Sequence, residues 1–241
     1  MAATEKLESE IDNAQLVLNE YADFAYTVSH DLSAPLRHIK EFARLLIASR
    51  ADQLNEEERE YADYLQKSLE RVDKMQQGLL AFSRVNTRSQ SSESINTNEL
   101  IANVLCSLEG EITELNPSIN HGEMPEIYGD PSQIHTVFLS IIDNAIKFHK
   151  EGSAREISID AKSKSDKVIF TIRDNGIGMQ EKFCTEVFRM FRMLHPAGKF
   201  AGHGVGLTLA KKIIERHGGE INIKSSPNEW TEVTFSLPQK P

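Results

Sequence analysis

The chain has 241 residues, 39% of them hydrophobic, and a formal net charge of −9. That length and apolar content suffice for one large domain or two modest ones, each with its own core. The acidic balance excludes a general nucleic-acid binder, which needs clustered Lys and Arg to displace counterions from phosphates. The two cysteines, Cys106 and Cys184, are far apart and show no metal-ligand spacing, so a reducing, cytoplasmic compartment is expected. No apolar run approaches the roughly 18 to 20 residues that span a bilayer, and the polar N-terminus has no signal-peptide pattern. The chain is therefore expected to be soluble.

At the start of the chain Leu7, Ile11, Ala14, Leu18, Tyr21, Ala25, Val28 and Leu32 alternate in steps of four and three, a heptad seam. Residues 1–20 read as a coiled-coil lead-in, and residues 21–88 as a helical hairpin. A first helix over residues 5–49 would be roughly 65 Å long at 1.5 Å per residue, too long for one globular core. Within it the string VSHDLSAPLRHI, residues 28–39, puts Val28 and Leu32 on the seam and so turns His30 outward. Asp31 beside it can accept the imidazole Nδ1 proton, which leaves the Nε2 lone pair free to attack an electrophile. Pro35 removes a backbone donor and is expected to bend the helix just after this site.

Asn55 followed by Glu58 is a capping-box arrangement that opens a second helix, with Glu56 and Glu57 suited to its positive end. Tyr61, Leu65, Val72, Met75, Leu79 and Phe82 continue the heptad spacing. One hairpin has too little core. Two related by a dyad make a four-helix bundle, so a homodimer is expected, the alternative being packing against the rest of the chain.

Residues 89–97 are polar and read as a linker into a domain over residues 98–241. That domain should open with a helix over residues 98–114, and a second helix should start at Asp130 as cap with Pro131 at its first position. Residues 156–161, 167–173, 220–224 and 231–237 read as strands. The fold class is α plus α/β: a long helical hairpin forming a dimeric four-helix bundle, then an α/β sandwich.

Three strings in the second domain carry chemistry. In IIDNAIKF, residues 141–148, Asn144 offers an amide oxygen suited to Mg²⁺, which takes few protein ligands. Lys147 shares its helix face and can reach a triphosphate, while Phe148 either lies against a base or packs in the core. In RDNGIGM, residues 173–179, Asp174 ends a strand, where a carboxylate can accept from the exocyclic amine of adenine; Gly176 and Gly178 permit close approach. In GHGVG, residues 202–206, Gly202, Gly204 and Gly206 precede a helix whose first residues, including Leu207, can turn backbone amides toward phosphate. These glycines come too late in the chain for a dinucleotide fold and lack the Lys of a Walker loop.

Taken together, SHDL with Pro35 and Leu36, the Asn144 string, the Asp174 string and the glycine string resemble a bacterial sensor histidine kinase, in the family's order and approximate spacing. The resemblance implies that His30 is the phosphoacceptor, that Asp31 is its acid–base partner, and that residues 98–241 are the ATP-binding fold shared with Hsp90, MutL and type II topoisomerases. It further implies ATP and Mg²⁺ as cofactors, with Asn144 as metal ligand, and an aspartate on a response-regulator receiver domain as the next phosphate acceptor. Whether an N-terminal sensory domain precedes the chain in a longer receptor stays open. Phe188 and Phe191 look like the family's F-box, with residues 191–204 as a mobile lid.

The chain departs from the family at several positions. Ser140 stands where water-hydrolysing relatives keep a glutamate and kinases an asparagine, which argues against ATP hydrolysis as the main task. Met193 replaces a basic lid residue, so charge stabilisation of the phosphoryl group would fall to Arg192 or Lys199. Ala34, four residues after His30, lacks the hydroxyl or amide that often holds a hydrolytic water, so phosphatase activity toward the regulator should be weak. The turn Asn228-Glu229-Trp230 replaces a Gly-x-Gly turn at a place expected to lie far from the chemistry. The alternative reading is a non-catalytic, ATP-binding dimeric signalling scaffold.

Overall fold

The computed structural model describes residues 27–28, 31–87, 91–194, 202 and 204–240. The expected coiled-coil lead-in over residues 1–20 and the phosphoacceptor candidate His30 lie outside the described residues. The chain divides into two compact units, Met1–Thr87 and Arg88–Pro241.

In the first unit, α1 (residues 31–49) runs unbroken through Pro35, and α2 (Glu56–Thr87) returns after a short turn. The start of α2 is a reciprocal cap. Glu58 N–H donates to Asn55 Oδ1 and Asn55 N–H donates to Glu58 Oε2, both at 2.9 Å, so two of the end's orphan donors are satisfied. Asn55→Ala should lower the stability of this unit by about 1 kcal/mol, read as an earlier thermal transition. Facing sides of α1 and α2 are tied by Lys40 to Asp73 at 3.0 Å and by Gln76 Nε2 donating to Ser33 Oγ. The other side of the seam is bare: Phe42 is 65% exposed, Leu46 66%, Tyr61 62% and Tyr64 75%. Among the described residues, every large apolar side chain left exposed belongs to this hairpin.

The second unit is a two-layer sandwich. Its main sheet has the order β2-β4-β5-β7-β6, built from β2 (Ser118–His121), β4 (Glu156–Lys164), β5 (Lys167–Asp174), β6 (Ile221–Ser226) and β7 (Trp230–Pro238). Only the β2–β4 pair is parallel. A separate antiparallel pair joins β1 (Glu93–Ile95) to β3 (Ile127–Gly129). The helices α3 (Thr97–Ser107), α4 (Glu109–Leu115), α5 (Pro131–Lys147) and α6 (Gly206–Arg216) complete the unit. Alternation along β5 and β7 sends Val168, Phe170 and Ile172, with Val233, Phe235 and Leu237, into the core. There the rings of Phe138, Phe170 and Phe235 pack with centroids 5.1 to 5.3 Å apart. Asp130 caps α5 by accepting from Ser132 and Gln133 amides, with Pro131 in the first turn, as the sequence predicts.

Two expectations are corrected. Residues 93–97 are not linker: they form β1 and the start of α3. Ile95 is buried, Asn96 caps α3, and buried Thr97 donates to Pro125 O at 2.6 Å. Asn and Thr here serve as cap and anchor, roles that composition cannot distinguish from solvated loop. The helix expected over residues 98–114 breaks at Leu108 (φ −105°, ψ 14°), which buries its side chain and caps α3. Gly110, a poor helix former, follows two residues later.

Candidate active site

The sequence of α5 divides the helix lengthwise. Ile134, Val137, Phe138, Ile141, Ile142, Ala145 and Ile146 are buried, which leaves Ser140, Asp143, Asn144 and Lys147, spaced three and four apart, as one half-buried polar stripe. Both ends of this stripe are closed by glycine segments. At one end a Cβ on Gly206 would stand 3.4 Å from Ser140 Cβ, so the first turn of α6, with Leu207 half-buried in it, abuts α5. At the other end Ile177 N–H donates to Phe148 O at 3.0 Å, and a Cβ on Gly176 would collide with that same carbonyl. Asn144 and Lys147 are thus bracketed by the two glycine strings named from the sequence.

Asp174 sits at the end of β5 beside this bracket. Its Oδ1 accepts from Gly176 N–H at 2.8 Å. Burial is the main influence on its carboxyl and pushes it from 3.8 up to about 6, against the opposing pull of the Gly176 and Thr231 backbone bonds. A carboxylate held this reluctantly in its charged form gains from any further donor that reaches it. Gly178 has φ +57°, and a Cβ there would strike the Ser226 carbonyl, so no other residue fits this turn without moving the sheet.

The first and last residues of the segment 191–204 are tied together. Phe191, at φ 63°, donates its N–H to Gly204 O at 2.7 Å. Gly204, at φ +67°, leaves no room for a Cβ against Arg192. Gly202 is exposed. Arg192, one candidate for phosphoryl stabilisation, pairs with Glu186 at 2.7 Å; the other, Lys199, lies outside the described residues. Lys147 is paired with Asp143 Oδ2 at 2.6 Å, both side chains about 24% exposed. Asp143 Oδ1 is buried and makes no hydrogen bond. The sequence reading passed over Asp143, although its place four residues before Lys147 signals the pair.

In the first unit Asp31 and Ala34 are exposed on α1, while Ser33 Oγ is engaged by Gln76. The turn Asn228-Glu229-Trp230 is not remote, contrary to expectation. Asn228 N–H donates to Ile177 O at 2.7 Å, Lys150 Nζ reaches Glu229 O at 3.4 Å, and the Arg173 guanidinium lies 4.2 Å from the Trp230 ring centroid. Asn228 takes the left-handed conformation, φ 60°, that a glycine would supply. Asn228 thus supplies one left-handed residue to the turn, and Trp230 adds a ring against Arg173 of Asp174's strand.

Comparison with known proteins agrees with this arrangement. Residues 20–88 match the His Kinase A (phospho-acceptor) domain, and residues 129–241 match the histidine kinase-, DNA gyrase B-, and HSP90-like ATPase family. Cyanobacterial phytochrome A of Nostoc sp. is 32% identical over 219 residues, 91% of this chain and 28% of that protein. The methanogenesis regulatory histidine kinase FilI of Methanothrix harundinacea is 28% identical over 234 residues, 97% of this chain and 26% of that protein. The chain thus spans under a third of these relatives' length. The structure of full-length ShkA in complex with AMPPNP matches 90% of this chain and 45% of its own, with TM-score 0.66 and 22% identity, a likeness of fold. The chain belongs to the sensor histidine kinases and corresponds to their catalytic core. Among the described residues no helix is long and apolar enough to cross a membrane.

Proposed function

We propose that the chain transfers the γ-phosphoryl group of ATP to His30 within a homodimer, and then to an aspartate on a response-regulator receiver domain. The observation that carries this reading is the half-buried Asp174 carboxyl, held by Gly176 N–H at 2.8 Å and raised to about 6, at one end of a stripe that also presents Asn144 and Lys147. Adenine supplies the exocyclic N–H that such an acceptor lacks, and guanine, with a carbonyl at that position, does not. The residues present fit Mg²⁺: Asn144 offers a hard amide oxygen on the half-buried stripe, and Mg²⁺ needs only one or two protein ligands beside phosphate oxygens. Bound there, the ion would neutralise charge on the β- and γ-phosphates. Lys147 adds a mobile positive charge, and the first turn of α6, whose cap Val205 supplies no side-chain bond, offers its backbone amides.

Asp31 holds the His30 Nδ1 proton. The Nε2 lone pair forms the bond to the γ-phosphorus as the bond to the β–γ bridging oxygen breaks, and ADP leaves with that electron pair. The protein's share is orientation and charge neutralisation. The hairpin's exposed apolar side supports the homodimer, because Phe42 and Leu46, two-thirds exposed, would be covered by a second copy. The contact division after Thr87 supports a boundary between the phosphoacceptor and ATP-binding modules near residue 88. Incubation with γ-labelled ATP and Mg²⁺ should give an acid-labile, base-stable phosphoprotein. ATP bound without label would instead mark a signalling scaffold.

A further inference from the structure

The strand register places three polar side chains in one row. Asp174 of β5 is opposite Thr231 of β7, and Thr231 is opposite Ser225 of β6. All three continue the inward-facing alternation of their strands, after Ile172, before Val233 and after Ile223 respectively, at the point where the apolar core gives way to the loop of residues 175–179. Ser225 reaches that loop. Its Oγ accepts from Met179 N–H at 2.8 Å, donates to Trp230 O at 2.8 Å, and lies 3.1 Å from Thr231 Oγ1. One proton and two lone pairs are all a serine hydroxyl has, so the three contacts use its full capacity.

We propose that Ser225 is a positioning residue for the adenine-nucleoside end of the site, acting through the loop that follows Asp174. This rests on the nucleotide reading above and extends it to a strand to which that reading gives no part. The Gly176–Met179 loop is fixed on the α5 side by Phe148 O and on the sheet side by Ser225, with Asn228 N–H holding Ile177 O between them. The backbone contacts persist whatever the side chains are. The Met179 amide depends on one hydroxyl, and without it loses its partner and frees the loop beside Asp174.

The test measures ATP and adenosine affinities, the labelling rate at saturating ATP, and thermal stability for the intact chain and for Ser225→Ala, Ser225→Thr and Asp174→Asn. Ser225→Ala should weaken ATP and adenosine by the same factor, about tenfold, the usual consequence of orphaning one half-buried amide. Its labelling rate at saturation should stay within about twofold, since uniform binding is lost and not transition-state contact. Ser225→Thr, which keeps the hydroxyl, should restore both affinities. A Ser225→Ala chain that melts earlier yet binds both ligands normally, or one that loses ATP but not adenosine, overturns the proposal. If Asp174→Asn weakens both ligands and Ser225→Ala does not, the nucleotide site stands and the role of Ser225 falls. If Asp174→Asn binds normally, the site reading fails and takes this inference with it.

Discussion

A chain carrying His30→Gln should take up no label from γ-labelled ATP, while its nucleotide affinity stays within about twofold, as for independent sites. Glutamine preserves bulk and polarity but has no lone-pair nitrogen able to bond phosphorus. The proposed nucleotide-binding residues lie in Arg88–Pro241 and the hairpin in Met1–Thr87, so loss of the acceptor should leave that unit intact. Asp31→Asn should be milder, slowing transfer by roughly 10² to 10⁴, the span of a general base. Autoradiography with parallel calorimetric titration separates the two effects. Substantial acid-labile label on His30→Gln would move the acceptor elsewhere.

Asp174→Asn should have opposite effects on stability and binding. The folded carboxyl titrates near 6 and its ordinary value is 3.8, so the native state holds this proton more tightly than the unfolded chain. Stability contributed by the protonated form is fully present below about 3.8 and is lost as pH rises through about 6. At pH 7.5 the charged form therefore weakens the nucleotide-free fold by up to about 3 kcal/mol, at 1.36 kcal/mol per pH unit. A neutral isostere removes that cost, so the free variant should melt later than wild type. Its ATP affinity should drop roughly ten- to a hundredfold with the loss of a charged hydrogen-bond partner. In the wild type, ATP binding should weaken as pH falls below about 6, because the protonated carboxyl no longer accepts from the adenine amine. Calorimetry from pH 5 to 8 checks both, and an earlier-melting variant with normal ATP affinity would refute the assignment.

What the sequence revealed here was whatever depends on local spacing. The Asn55–Glu58 box and the Asp130-Pro131 cap are complete within four residues, and both form as read. The four long strands of the sheet announce themselves by alternation, and Asn144 and Lys147 share a face because helical periodicity demands it. The missed features need a partner distant in the chain. β1 is three residues long and exists because β3, some thirty residues later, pairs with it. Ser225 looks like any strand-end serine until the register sets it opposite Thr231. The turn at Asn228–Trp230 shows in sequence only the glycines it lacks, and not the Ile177 carbonyl that its amide meets. The Asp143–Lys147 pair was within reach of the sequence, since it is an i to i+4 contact.

Trp230 is the chain's single tryptophan, and its ring carries the Arg173 guanidinium 4.2 Å from its centroid. Indole emission responds to nearby charge and to water, and Arg173 is the residue immediately before Asp174. A substitution that looks, by sequence, like the loss of two glycines thus equips the molecule with an intrinsic chromophore one residue from Thr231, the cross-strand neighbour of Asp174. Nucleotide binding at the proposed site should therefore be testable by ultraviolet fluorescence on the unmodified protein, in which the hairpin has no tryptophan to compete.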